Sequence, residues 1–369
     1  MEIRPATSKA DRKAFIRLPW SLYAWDPHWV PPLLLDIETT LDLKRNPFFE
    51  HAEIELFLAW EGRVPVGRIA AILDRAHNEH HGEKVAHFGF FECVDDAATA
   101  RALVDRARTW GKARGMTALR GPVNPTTNET CGLLVEGFDS DPVLMMTYNP
   151  RYYAALLEKA GLAKAKDLYA WEHTHATLKI AKLEHAAQRL IERHGVEFHS
   201  PDMKKFDEEV AKIHRIYNRA WEKNWGFVPM TEAEFRHMAK NLKPVVDPDL
   251  LFIAEVRGEP AGFLLALPDL NSAIKHANGR LLPFGLLKIL WHARKIDKLR
   301  LLTLGVVPEF RKRGIDGLLI YELFQRSKKK YRSAELSWVL EDNHVMNHTI
   351  ESIGGRLYKR YRIYEGPIA

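Results

Sequence analysis

Only two cysteines, Cys93 and Cys131, occur in 369 residues, and both sit inside apolar segments. That scarcity argues against a disulfide framework and points to a reducing cytoplasm. Long apolar runs are missing as well. The longest, residues 281–291, is broken by Pro283, Gly285 and Lys288, too short and too interrupted to span a bilayer. The first residues, Met1-Glu2-Ile3-Arg4-Pro5, lack the cationic flank and apolar stretch of a secretion signal, so none is expected. Lys and Arg outnumber Asp and Glu to give a net charge of +6 and a pI near 9.1. They are nevertheless spread along the chain and not interleaved with aromatics in one block, so nucleic acid is not an expected partner. With 46% hydrophobic and 28% charged residues, the remaining picture is a globular chain with room for two domains. A phosphorylated small molecule or an anionic membrane surface accounts for the positive charge. The expected location is cytoplasmic, and block 281–291 has the composition to lie on the inner membrane face.

The chain repeats itself. A shift of 195 positions brings Phe57, Leu58, Ala59, Pro65, Gly67, Ala71 and Ile72 onto Phe252, Ile253, Ala254, Pro260, Gly262, Ala266 and Leu267. Near the same offset Trp25 and Trp29 meet Trp221 and Trp225, and Asn149, Glu158 and Gly161 face Asn343, Glu351 and Gly354. Such an internal repeat implies two copies of one fold. The boundaries read from it are a first domain 1–172, a linker or helix 173–195 and a second domain 196–369. Each copy reads as an edge strand, one or two helices, a hairpin (57–72 and 252–267), a strand, a helix, a strand, a helix and a last strand. Alternation after the hairpin implies α/β packing on a mixed sheet.

The most informative stretch is 304–316, Leu-Gly-Val-Val-Pro-Glu-Phe-Arg-Lys-Arg-Gly-Ile-Asp. An apolar strand meets Pro308, which lacks an N–H, and residues 317–324 resume with helical apolar spacing. A basic turn opening a helix gathers positive charge and unpaired backbone donors at one point, which suits a pyrophosphate. The first copy has Phe88-Gly89-Phe90-Phe91-Glu92-Cys93-Val94-Asp95-Asp96 in that place. It offers two carboxylates at the helix start and no basic turn, so it is not expected to bind phosphate.

The hairpin, strand, basic glycine turn, helix, strand and Asn-led helix resemble the GNAT acyltransferase superfamily. Its Arg/Gln-x-x-Gly-x-Gly/Ala signature is met by Arg311 and Gly314 and departed from at Asp316. The duplication resembles the tandem-GNAT arrangement and spans nearly the whole chain. More narrowly, residues 224–229, 267–271 and 338–343 are similar to a bacterial GNAT-like family that includes bacterial ceramide synthases, which transfer fatty acyl groups from acyl-CoA to the amine of a sphingoid base. The resemblance implies acyl-CoA as donor substrate and an amine as acceptor. It further implies that Arg311, Lys312 and Arg313 support phosphate charge, and that N–H groups across Arg313, Gly314, Ile315, Asp316 and Gly317 donate to the pyrophosphate, with Asn343 beside them. Val306 and Val307 are implied to turn N–H groups toward the thioester carbonyl. Asp316 is read as a helix cap, because a carboxylate in that place repels phosphate.

Amine acylation needs a base and is helped by an acid for the departing thiolate. Glu341 and Asp342, at a strand end, are the candidate bases; a polar strand end that caps the next helix is the competing reading. The tyrosine acid common in the superfamily maps to Ile350, which leaves the thiolate to depart unassisted or with Tyr358, Tyr361 or Tyr364 of the last strand as acid; Tyr358 is placed in the catalytic set. Trp221, Trp225 and Phe227 are expected to line the acceptor opening, with Asn271 near it. His344 and His348 stand four apart but lack a third ligand, so no metal is expected. Acyl carrier protein as donor to an amino acid, and a silent ligand-binding role, stay open as alternatives, as does the oligomeric state.

Overall fold

The computed structural model describes residues 1–368, without the side chains of 180–183. Two compact units make up the chain. The first comprises Met1–Leu168, Ile274–Ile289 and the chain from Lys359 onward; the second comprises Tyr169–Ala273 and Leu290–Tyr358. This cut differs from the contiguous halves read off the repeat. The reason is strand pairing: Tyr364 faces Gly121 and Pro367 faces Ala118, so the end of the chain closes the first unit's sheet.

In the first unit, strands Glu2–Pro5, Ala52–Glu61, Val64–Asp74, Val85–Cys93 and Ala118–Gly121 lie side by side, followed by the C-terminal strand. All neighbours are antiparallel except Val85–Cys93 with Ala118–Gly121, which is parallel. Helix Ala97–Lys112 covers one face through Leu103, Val104, Ala107 and Trp110, spaced to fall on one side. Burying Leu103 completely contributes about 1.5–3 kcal/mol. Gly67 stays bare beneath it, because a Cβ there would stand 2.7 Å from Leu103 Cδ1.

The second unit repeats the order with Val196–His199, the hairpin Leu251–Val256 and Glu259–Pro268, then Lys298–Val306 and Ser333–Leu340. Its last pair is again parallel. Helices Ile180–His194 and Ile315–Ser327 lie on one face, over Phe252, Leu264 and Leu301. Helices Phe206–Trp221 and Glu232–Leu242 lie on the other, over Ile253 and Phe263. A capping box fixes the start of Glu232–Leu242: Thr231 accepts from the Glu234 N–H and Glu234 accepts from the Thr231 N–H. Among the described residues no helix is long and apolar enough to cross a membrane.

Candidate active site

The parallel pair of the second unit comes apart. Lys298, Arg300 and Leu301 face Ser333, Glu335 and Leu336, and there the register ends, although the strands run on to Val306 and Leu340. On its other edge, strand Lys298–Val306 carries a bulge: Leu265 faces Thr303 and Ala266 faces Leu301, leaving Leu302 over. A bulge bends its strand and increases local twist, which here turns the strand end away from its parallel neighbour. The result is a split at the carboxyl ends of two parallel strands, where open α/β sheets hold ligands.

Backbone geometry decides what faces that split. The Val307 N–H donates to the Ala261 carbonyl at 2.9 Å, so Val306 opposite Gly262 is a non-hydrogen-bonded pair of the antiparallel ladder. The N–H groups of Val306 and, two residues back, Leu304 therefore point away from the hairpin and into the split. Val307 cannot play the part expected of it, since its donor is spent on Ala261 and its side chain is buried.

Beyond Val306 the turn is curled by two left-handed residues, Lys312 (φ 60°) and Gly314 (φ 76°), and Gly314 is the N-cap of Ile315–Ser327. A lysine held in that region costs of order 1–3 kcal/mol, a strain found most often at functional turns. The first-turn N–H groups of Ile315, Asp316 and Gly317 have no intrahelical acceptors by helix geometry and present the positive end of the helix. Lys312 and Arg313 are exposed beside them. Arg311 does something else: its Nε donates to the Val306 carbonyl (3.1 Å) and its guanidinium to the Ala220 carbonyl (2.7 Å). It braces the turn. Asp316 lies inside the first turn and is not the cap, a place taken by Gly314 with no side-chain cap bond.

The remaining candidates separate. Asn343 caps helix His344–Ser352 by accepting from the Met346 N–H at 3.2 Å, so its side chain is used within the protein. Glu341 and Asp342 follow Leu340 at the open end of the split, half-buried and exposed respectively. Trp221 packs on the strand at Gly305, where a Cβ would strike the indole at 2.3 Å, and so borders the split. Trp225 follows in the same segment, half-buried, whereas Phe227 belongs to the core against Tyr217 at 5.5 Å. Asn271 follows Pro268, which faces Leu299 at the closed root of the parallel pair. Of the three tyrosines, Tyr361 and Tyr364 belong to the first unit. Tyr358 donates its hydroxyl to Glu335.

That last bond exposes a cluster the sequence reading missed. Glu335 is 0% and Arg300 1% exposed. Arg300 Nε donates to Ser337 Oγ (3.2 Å), Ser337 Oγ donates to Glu335 Oε1 (2.5 Å), and the Arg300 guanidinium stands over the Trp338 ring at 5.1 Å. The linked ions sit at the closed root of the split. Just past them, Thr303 Oγ1 and Trp338 Nε1 are buried without a hydrogen-bond partner among the described residues, one on each diverging strand.

The first unit contains the same split, filled by the protein itself. Val85–Cys93 and Ala118–Gly121 part after His87 and Arg120, and the hairpin of Val123–Asn124 with Thr130–Cys131 enters the gap. A Cβ on Gly89 would lie 1.7 Å from the Val123 carbonyl oxygen, and Asn124 Oδ1 accepts from the Phe90 N–H at 2.6 Å. Cys93, which faces Gly67 as Val306 faces Gly262, gives its N–H to the Tyr153 hydroxyl at 2.9 Å. At the helix start Asp96 accepts from Thr99 N (2.7 Å) and Oγ1 (2.6 Å), and these bonds hold its pKa below the usual carboxylate value. The donors that the second unit turns outward are answered internally in the first.

The chain matches no family model. It is similar to the bacterial ceramide synthase of Caulobacter vibrioides (strain NA1000 / CB15N), with 39% identity over 376 residues that cover 99% of this chain and 97% of that one. It is 37% identical to Protein YghO of Escherichia coli (strain K12) over 375 residues, covering 99% and 95%. Among solved structures, a tandem GNAT protein from the clavulanic acid biosynthesis pathway shares the fold with a TM-score of 0.60 at 14% identity, covering 100% of this chain and 98% of the other. With a tandem GNAT fold and relatives of this identity along almost its whole length, the chain belongs to the family of the Caulobacter bacterial ceramide synthase.

Proposed function

We propose that the protein is an N-acyltransferase that moves a long-chain acyl group from acyl-CoA to the amine of a sphingoid base. The GNAT fold and the named relatives support acyl transfer. The observation that carries the donor site is the contrast between the two splits, one open beside a glycine-capped basic helix start and one closed by Asn124 and Tyr153. In this reading the pyrophosphate rests on the first-turn N–H groups after Gly314 with Lys312 and Arg313 around it, and the thioester enters the split. The free amine attacks the thioester carbon, a C–N bond forms, and the N–H groups of Val306 and Leu304 hold the oxyanion. The C–S bond then breaks and the thiolate departs with CoA. Glu341, at the open end with Asp342, receives the amine proton directly or through water.

The test is thiol release from palmitoyl-CoA by the purified protein on addition of sphinganine or its 3-keto form, with the N-acyl product identified by mass. Release that requires both substrates is expected. Release only with amino acids, or only from acyl carrier protein, would replace the acceptor or the donor; binding of acyl-CoA without release across the amine panel would remove the enzymatic reading.

A further inference from the structure

Segment 281–291 presents its apolar side chains outward. Among the described residues twelve large apolar side chains are exposed, and six of them, Leu282, Phe284, Leu286, Leu287, Leu290 and Trp291, fall here at 48% to 78% exposure. In helix Gly285–Ala293 the pairs Leu286–Leu287 and Leu290–Trp291 recur at a four-residue step and form one stripe. Gly285 is buried, and Ile289, His292 and Ala293 are half-buried. The helix is thus inverted, with its most apolar face toward solvent, which a surface helix of a globular chain does not adopt without a partner.

The loop that carries this helix is tied down. Trp20 Nε1 donates to Asn278 Oδ1 (2.9 Å), the Leu34 N–H donates to the Gly279 carbonyl (3.0 Å), and Lys275 Nζ donates to Asp141 Oδ2 (2.6 Å). Gly285 sits so close to the Arg280 carbonyl that a Cβ would come within 1.6 Å. Apolar display is therefore fixed by the fold. The segment itself carries one sign of charge: residues 271–296 contain Lys275, Arg280, Lys288, Arg294 and Lys295 and no Asp or Glu, although Lys275 is neutralised by Asp141. Arg17 and Arg280 also line a cavity of about 260 Å³ with Trp20, Leu34 and Asn278, at the base of the same loop.

We infer that this segment docks the protein on an anionic phospholipid bilayer, with the Leu286, Leu287, Leu290 and Trp291 stripe at the boundary of headgroups and acyl chains. Arg280 and Lys288 face lipid phosphates, and Arg17 with Arg280 receives one in the cavity. An amphipathic helix of this kind binds through buried apolar area plus attraction to anionic lipid. The inference stands on the surface alone and does not depend on which amine is acylated. A protein surface would also cover such a stripe, but the absence of Asp and Glu from residues 271–296, with Arg280, Lys288, Arg294 and Lys295 present, matches an anionic bilayer rather than a second copy of this basic chain.

The experiment is flotation of the full-length protein with vesicles of phosphatidylcholine alone and of phosphatidylcholine with 30% phosphatidylglycerol, at low and at 0.5 M salt. Wild type is expected to float with the anionic vesicles and to be released by salt. Leu287→Glu/Trp291→Glu is expected to lose at least about tenfold in partitioning, and Arg280→Glu to lose binding mainly at low salt, each with an unchanged melting temperature. Equal flotation of wild type and Leu287→Glu/Trp291→Glu overturns the inference, as does failure of wild type to float. A wild-type dimer in sedimentation equilibrium that this double variant dissociates, with no flotation of either, assigns the stripe to self-association instead.

Discussion

Glu335→Gln removes one negative charge from the root of the split and leaves the buried Arg300 linked through Ser337 to a neutral amide. Arg300 and Glu335 face each other in register and share Ser337, and leaving one of two such buried opposite charges without the other costs about 3–5 kcal/mol. Hydrogen bonding adds to this. Ser337 donates to one carboxylate oxygen and Tyr358 to the other, whereas a glutamine offers one acceptor and one NH2, so one hydroxyl must turn away, at about 1 kcal/mol. A loss near 5 kcal/mol shifts the folded-to-unfolded ratio by about three to four orders of magnitude. Apolar replacement of both ions by Arg300→Met/Glu335→Leu should recover most of it, to within about 2 kcal/mol of wild type. Urea unfolding of the wild type, both single variants and the double variant gives the coupling energy directly. A loss below 1 kcal/mol for Glu335→Gln, or a double variant as unstable as the sum of the singles, would refute the claim that these ions hold the root of the split as a unit.

Gly314→Ala forces a Cβ into a left-handed residue and within 2.7 Å of the Leu190 side-chain end, so calorimetry should show a loss of about 1–2 kcal/mol. Thiol-release kinetics should show KM for acyl-CoA raised about tenfold with kcat nearly kept, since the altered groups hold the donor. Asn124→Ala strips the Phe90 N–H of its acceptor and should cost about 1–3 kcal/mol in urea unfolding while leaving kcat unchanged; a fall in kcat would contradict the assignment of the donor to the second unit. His173 is buried with both ring nitrogens unpartnered among the described residues, and burial pushes its pKa down to about 4. The unfolded chain, with a histidine pKa near 6.5, then binds more protons below that value, so this contribution is complete above about pH 6.5 and is lost as pH falls toward 4. His173→Phe should therefore lose about 2 kcal/mol less than wild type between pH 7 and pH 5, read from urea midpoints at each pH. Equal losses would count against a neutral, buried imidazole.

The repeat and the glycine turn were legible because hairpins and helix starts are written in local residue types: Pro65 and Pro260, Gly67 and Gly262, and Gly314 before an apolar helical run. The bulge at Leu302 was not, since it is a matter of register between strands and leaves no mark in the composition of Leu301-Leu302-Thr303-Leu304. For the same reason composition alone does not separate Val307 from Val306, although successive strand residues turn their N–H groups to opposite sides. Arg300 and Glu335 did leave a signal, each a charge inside an apolar strand, between Leu299 and Leu301 and between Ala334 and Leu336. Asn124 gave none: one asparagine in a Pro- and Thr-rich loop becomes informative only when the fold lays it against Phe90.

Strand membership also dictates when each unit can finish folding. The sheet of the first unit waits for strand Arg356–Pro367, which is made only after the second unit, and until then Ala118–Gly121 lacks the partner supplied by Tyr364 to Pro367. A nascent first unit therefore carries an unpaired strand edge through the whole synthesis of the second, a period in which edge-to-edge association with another chain competes with folding. Expression of residues 1–168 by themselves, or deletion of strand Arg356–Pro367, should yield aggregates rather than a stable domain, because residues made after the second unit are the ones that seal the first sheet.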